Sequence, residues 1–155
     1  MNSLVSYYSE FGNTAKIAHA IGEALEETGP ARVVDLMRLT PADLRAIDIL
    51  IVGVPTHRMN LPETVRVALR KFPRRIVSRK TSIAAFDTSY KMSRWLARFT
   101  AARKLLRRLK RLGGRKIVPP ETFHVAGRDG PLYEGETERA RLWAKSIVKN
   151  KQGSM

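Results

Sequence analysis

The chain contains no cysteine, which excludes disulfides, thiolate metal sites and cysteine nucleophiles. No apolar run approaches the roughly 18 residues a membrane-spanning helix needs. The first residues, Met1-Asn2-Ser3-Leu4-Val5, carry neither the basic start nor the long apolar stretch of a secretory signal. The expectation is a soluble, cytoplasmic protein. Two nucleotide-binding signatures are also missing: there is no Gly-x-x-x-x-Gly-Lys and no Gly-x-Gly-x-x-Gly. His19 and His124 stand at no metal-ligand spacing. Internal repeats, low-complexity segments and linkers are absent, so 155 residues read as one domain over 1–150 with a polar, frayed tail at 151–155. Acids are scarce in one region only. Residues 64–120 hold 18 of the 29 Lys/Arg but a single acid, Asp87, out of 14. This asymmetry within a chain of net charge +15 suits a surface for an anionic partner, or a solvated face kept soluble by like charges.

What is present alternates. Leu4–Tyr8 reads as a first strand and Thr14–Glu27 as a helix with Ile17, Ala18, Ile21 and Leu25 at helical spacing. Thr28-Gly29-Pro30 stops that helix, and Ala31–Leu36 reads as the second strand. Pro41–Arg45 is at most a short helix. Ile47–Val54, rich in Ile and Val, has the composition of a central strand buried on both faces. A helix over Pro62–Phe72, a strand over Thr81–Phe86 and a long helix over Met92–Leu112 follow. A fifth strand over Lys116–Val125 is interrupted by Pro119-Pro120, and a last helix covers Glu134–Lys149. Five strands alternating with helices imply an α/β domain whose parallel sheet is covered on both faces. Ligands of such sheets bind beyond the carboxyl ends of the strands, which directs attention to the loops after strands 1, 3 and 4.

The loop after the first strand is Ser9-Glu10-Phe11-Gly12-Asn13-Thr14. It leads straight into a helix, where unpaired N–H groups and the helix dipole favour a phosphate. Ser9 and Thr14 offer hydroxyls, Gly12 tolerates positive φ, and Asn13 can cap the helix. The same residue types also make a plain capped turn. After the third strand comes Pro55-Thr56-His57-Arg58-Met59-Asn60, in which His57 and Met59 can flank a planar ring, or which serves as a surface connection. After the fourth comes Asp87-Thr88-Ser89-Tyr90, with a stacking candidate in Tyr90 and hydrogen-bonding groups in the other three. Asp87 can instead cap the following helix or pair with an Arg.

Three junctions, Tyr8–Thr14, Val54-Pro55-Thr56 and Phe86-Asp87-Thr88, resemble those of the flavodoxins and flavodoxin-like proteins, and the resemblance extends over the whole chain. It implies a flavodoxin-like three-layer sandwich with a five-stranded parallel sheet of order 2-1-3-4-5 binding one FMN. The first loop would cradle the phosphate, and the loops after strands 3 and 4 would enclose the isoalloxazine ring. The chain departs from the family at Phe11, where Thr or Ser usually supplies a phosphate-facing hydroxyl. It departs again in Pro55–Leu61, where His57 is the only ring.

The long basic helix is the second unusual segment. Met92, Trp95, Leu96, Phe99, Ala102, Leu106 and Leu109 form one apolar face, so Trp95 and Phe99 are expected in the core. Arg94, Arg98, Arg103, Lys104, Arg107, Arg108 and Arg111 occupy the rest. They suit docking of an acidic redox protein or an anionic membrane surface; nucleic acid fits least, as no binding motif accompanies the charge. The positive field would also favour an anionic, fully reduced flavin. The resemblance implies an FMN-dependent electron carrier, in which no side chain acts as acid, base or nucleophile. Two other classes stay open: an FMN-dependent oxidoreductase acting on a quinone or porphyrinogen, and a flavin-free binding module of the same fold.

Overall fold

The computed structural model describes residues 1–57 and 59–155. Six strands are built in chain order: β1 (Ser3–Tyr7), β2 (Ala31–Asp35), β3 (Ile49–Pro55), β4 (Ser82–Tyr90), β5 (Arg115–Lys116) and β6 (Glu121–Val125). The helices are α1 (Asn13–Glu26), α2 (Glu63–Arg70), α3 (Arg94–Ala97), α4 (Ala101–Arg111) and α5 (Glu136–Gly153), with short 3₁₀ turns at Leu36–Arg38 and Pro41–Leu44. All strand pairs are parallel, and the order is β2-β1-β3-β4-β5. The fifth strand is two pieces: β5 pairs with Ser82 and Ile83 of β4, and β6 pairs with Phe86–Tyr90. Pro119 and Pro120 separate them, because proline has no N–H to continue the ladder.

Alternation along the strands sorts the side chains into two cores. Leu50, Val52 and Val54 of β3 face α2 and α4, meeting Val65, Leu69, Leu105 and Leu109. Ile49 and Ile51 face the other way, onto Ile17 and Ile21 of α1 and Ala144 and Ile147 of α5. Gly53 continues that second row, and its missing side chain is filled by the Phe86 ring of the paired strand. Phe86 in turn meets Phe123 and Trp143 edge-on. The helices that follow β1 and β3 therefore leave toward opposite faces of neighbouring strands. Their connecting loops part at the carboxyl edge, and a crevice opens there.

Three elements differ from the sequence reading. The helix expected over Met92–Leu112 is two helices broken at Arg98-Phe99-Thr100. Its aromatics are not core: Trp95 is 65% exposed and Phe99 47%, stacked edge-on against each other. The break has a tertiary cause. The N–H of Ala101 is taken by Thr56 Oγ1 at 3.0 Å and that of Ala102 by Asp87 Oδ2 at 3.1 Å, so a fresh helix start is capped from β3 and β4. Next, β4 does not stop at Phe86. Pairing with both β3 and β6 extends it through Tyr90, so Asp87-Thr88-Ser89 is strand rather than loop. Finally, α5 runs to Gly153, and Lys151 is buried with its ammonium on the Lys80 carbonyl at 2.6 Å. No helix among the described residues is long and apolar enough to cross a membrane.

Candidate functional site

A cleft of about 200 Å³ lies at the carboxyl edge of the sheet, where the loops after β1 and β3 part. Its walls come from the predicted segments. Ser9, Glu10, Phe11, Asn13 and Thr14 form one side; Pro55, Thr56, His57 and Met59 form another; Thr88, Ser89 and Tyr90 close it from β4. Gly12 and Asn60 belong to these loops without lining the cleft. Arg58 lies outside the described residues. Asp87 does not line it either, being fully buried beneath.

The first loop is held by Ser9. Gly12 is the residue before α1, in the left-handed region at φ 92°, and it has no side chain to cap the helix. Ser9 Oγ takes that role, accepting the N–H of Gly12 at 3.0 Å and that of Ala15 at 3.3 Å. Among the described residues, the backbone N–H groups of Glu10, Phe11, Asn13 and Thr14 have no acceptor. The first turn of α1 contains no acidic residue to neutralise its partial positive charge. The loop is therefore a set of unpaired donors at the start of a fourteen-residue helix.

The hydroxyls are mostly engaged with the protein itself. Thr14 Oγ1 and Thr88 Oγ1 bond to each other at 2.8 Å, which uses one of their two protons and leaves one. Thr56 Oγ1 donates to Asp87 Oδ2 at 2.5 Å while accepting from Ala101. Ser89 Oγ donates to the Tyr90 carbonyl. Among the described backbone and hydroxyl groups of these segments, the donors free for an incoming anion are thus the N–H groups of Glu10, Phe11, Asn13 and Thr14, the Ser9 hydroxyl proton and one proton of the Thr14–Thr88 pair.

The turn after β3 is closed by paired hydrogen bonds between His57 and Asn60, each 2.9 Å. Met59 sits at φ 62°, in a left-handed conformation that is strained for an L side chain. Lys104 of α4 donates to the Met59 carbonyl at 2.9 Å and secures the turn. Lys104 thus also serves the scaffold of the cleft, while lining a groove with Arg107, Arg108 and Arg111 of the basic face. Asp87 completes the scaffold. Burial pushes its carboxyl above the usual range, against the nearby Thr122 hydroxyl and the hydrogen bonds from Thr56 and the Ala102 N–H, which favour the ionised form. Its Oδ1 has no partner among the described residues. Asp87 caps α4, one of the two roles the sequence offered for it outside the cofactor.

Three lining residues were missed: Met92, Val125 and Arg128. Arg128 lies over the Phe11 ring at 5.7 Å, a cation–π approach. The rule that pointed to the carboxyl ends of strands 1, 3 and 4 also covers the loop after β6, and applied there it reaches Arg128. The finished cleft offers N–H donors and a cation for an anion, with Tyr90, His57, Met59 and Pro55 as walls for a flat, largely apolar group. That donor set fits a phosphorylated planar cofactor.

Comparison with known proteins bears on the same point. The model of the flavodoxin family matches residues 5–143. No curated protein sequence matches the chain. Among solved structures, oxidised flavodoxin 1 from Bacillus cereus is 18% identical with a TM-score of 0.72, covering 96% of this chain and 98% of that one. Oxidised flavodoxin 2 from the same organism is 20% identical with a TM-score of 0.73, over 96% and 99%. Rubredoxin oxygen:oxidoreductase from Desulfovibrio gigas matches at 15% identity and a TM-score of 0.73, over 98% of this chain but 36% of that one.

Proposed function

The chain belongs to the flavodoxin family, and we propose from that premise that it binds one FMN in the cleft and carries electrons between redox partners in the cytoplasm. The observation that carries this reading is the Ser9–Thr14 loop, in which the N–H groups of Glu10, Phe11, Asn13 and Thr14 have no acceptor among the described residues, at the start of α1 and beside a cleft of matching chemistry. When bound, FMN supplies the electron chemistry, accepting and releasing electrons at its ring. The protein supplies binding, orientation and field.

The backbone donors of Glu10, Phe11, Asn13 and Thr14 would hold the phosphate, helped by the dipole of α1. The Ser9 hydroxyl keeps those donors in place and can add its own proton. Backbone groups take over the work of the hydroxyl that Phe11 replaces. Tyr90, half-exposed and lining the cleft, is the side chain that would stack on a ring, with His57 and Met59 as further lining groups. Arg128 would offset the carboxylate of Glu10 on the same wall. Arg103, Arg107, Arg108 and Arg111 of α4 would steer an acidic redox protein, raising its encounter rate at low salt.

Titration of the purified protein with FMN tests the reading. Binding should quench flavin fluorescence and perturb its absorbance at one FMN per chain. Steady-state assays with NAD(P)H and a quinone then separate a carrier, which turns over neither, from an oxidoreductase. No binding at any FMN concentration would leave the fold without its cofactor and overturn the proposal.

A further inference from the structure

Four of the ten large apolar side chains exposed among the described residues fall within ten positions: Tyr90 (52%), Trp95 (65%), Leu96 (42%) and Phe99 (47%). They belong to the segment that leaves β4, forms the single turn of α3 and ends where α4 begins. From Lys91 to Phe99 this segment contributes no buried residue at all. Trp95 and Phe99 pack against each other, ring centroids 5.4 Å apart, instead of against the body of the protein. The sequence therefore places a tryptophan, a phenylalanine and a leucine where the core does not use them. An isolated patch of this kind marks an interaction surface.

The charges choose the partner. Lys91, Arg94 and Arg98 alternate with the aromatics and are all exposed. No Asp or Glu occurs between Asp87 and Glu121. Any burial of the apolar side chains carries these cations with it. A protein surface would need a carboxylate positioned for each one. A lipid surface offers anionic headgroups at every position, with acyl chains just below for the rings. Amphipathic aromatics beside Lys and Arg stems match that interface on both counts. Tyr90 and Met92, which begin the segment, also line the cleft.

We propose that Tyr90–Phe99 is a peripheral membrane anchor, which inserts Trp95, Leu96 and Phe99 into the interface of an anionic bilayer and so holds the mouth of the cleft against it. This stands whether or not FMN is bound, because every group it uses lies in the polypeptide.

The test is vesicle binding, followed by co-sedimentation and Trp emission, with and without FMN. The vesicles are phosphatidylcholine alone, or with about a third of phosphatidylglycerol. The protein should bind the anionic vesicles, with a blue shift and quenching by brominated acyl chains that are absent from Trp95→Phe. Trp143, packed against Phe86 and Phe123, should stay silent. The surface variant Trp95→Ser/Phe99→Ser should bind at least about tenfold more weakly. Each of Lys91→Gln, Arg94→Gln and Arg98→Gln should cost about fivefold on anionic vesicles. Thermal unfolding should show all of them folded. Failure to bind anionic vesicles at physiological salt overturns the proposal. So does binding that the double variant leaves unchanged, which would assign it to α4 charge alone. Loss of binding to an acidic protein, with vesicles ignored by wild type, would make the patch a protein dock and refute the lipid.

Discussion

Replacing Ser9 by alanine removes one atom, Oγ, with two separable consequences. In the free protein that oxygen accepts the N–H groups of Gly12 and Ala15 and substitutes for the cap that Gly12 lacks. Loss of such a cap costs about 1 kcal/mol. For a domain of this size that lowers Tm by about 2–4 °C. In the FMN complex the same change deletes the Ser9 hydroxyl proton, one of the few side-chain donors left for the phosphate. A hydrogen bond to a charged group contributes about 1.5–3 kcal/mol, so Kd should rise about 10- to 100-fold. Adding Thr14→Ala removes a partner from the buried pair with Thr88 and leaves the Thr88 hydroxyl unpaired. That costs a further ~1–3 kcal/mol of stability. It also frees the Thr88 proton, so the added loss of affinity should be smaller than the first. Fluorescence titration of the apoprotein with FMN gives Kd, and thermal unfolding without FMN gives the stability term. An unchanged Kd in Ser9→Ala/Thr14→Ala, beside a lowered Tm, would refute the argument: the loop would be a capped turn and no phosphate cradle.

Three other perturbations have defined outcomes. Gly53→Ala drives a methyl into the Phe86 ring, in the row shared with Phe123 and Trp143; overpacking should cost about 3 kcal/mol by urea unfolding, and Phe86→Leu in the same chain should recover part of it. Burial raises the Asp87 carboxyl, so the folded state holds that proton more tightly than the unfolded chain. Its stability contribution is greatest below the ordinary aspartate pKa and is lost as pH rises through the raised folded value. Asp87→Asn should therefore gain stability relative to wild type as pH is raised, seen as a difference between the two unfolding curves that grows from acid to neutral pH. Lys104→Met frees the Met59 carbonyl, so the His57 and Asn60 amides should exchange with deuterium at least about tenfold faster while the core strands keep their protection.

The order of strands and helices was legible because each element carries its own period, and the sheet's switch point follows from that order alone. The cleft was legible for the same reason: loops after strands 1 and 3 are contiguous in sequence, and their small, hydroxyl-bearing and proline residues mark them. What escaped was whatever depends on distant partners. Nothing local separates Phe99 from Ala102 as members of one apolar stripe. The helix breaks there because Thr56 and Asp87, 45 and 15 positions away, take the first N–H groups of α4. The polar run Asp87-Thr88-Ser89 reads as loop until strands on both sides pair with it. The Thr14 hydroxyl, expected to face a phosphate, is engaged with Thr88 of β4, because a buried hydroxyl needs a partner and the nearest was another threonine.

The split fifth strand bears on a hazard unrelated to electron transfer. A parallel sheet ends in two rows of unpaired backbone groups, and a long flat edge invites a second chain to add on. Here one edge is a two-residue strand and a five-residue strand interrupted by Pro119-Pro120. Arg115 and Lys116 make up the first of these pieces and are exposed. An incoming strand would find its ladder interrupted within a few residues and positive charge at the start. The prolines thus protect this edge of the sheet against growth by strand addition.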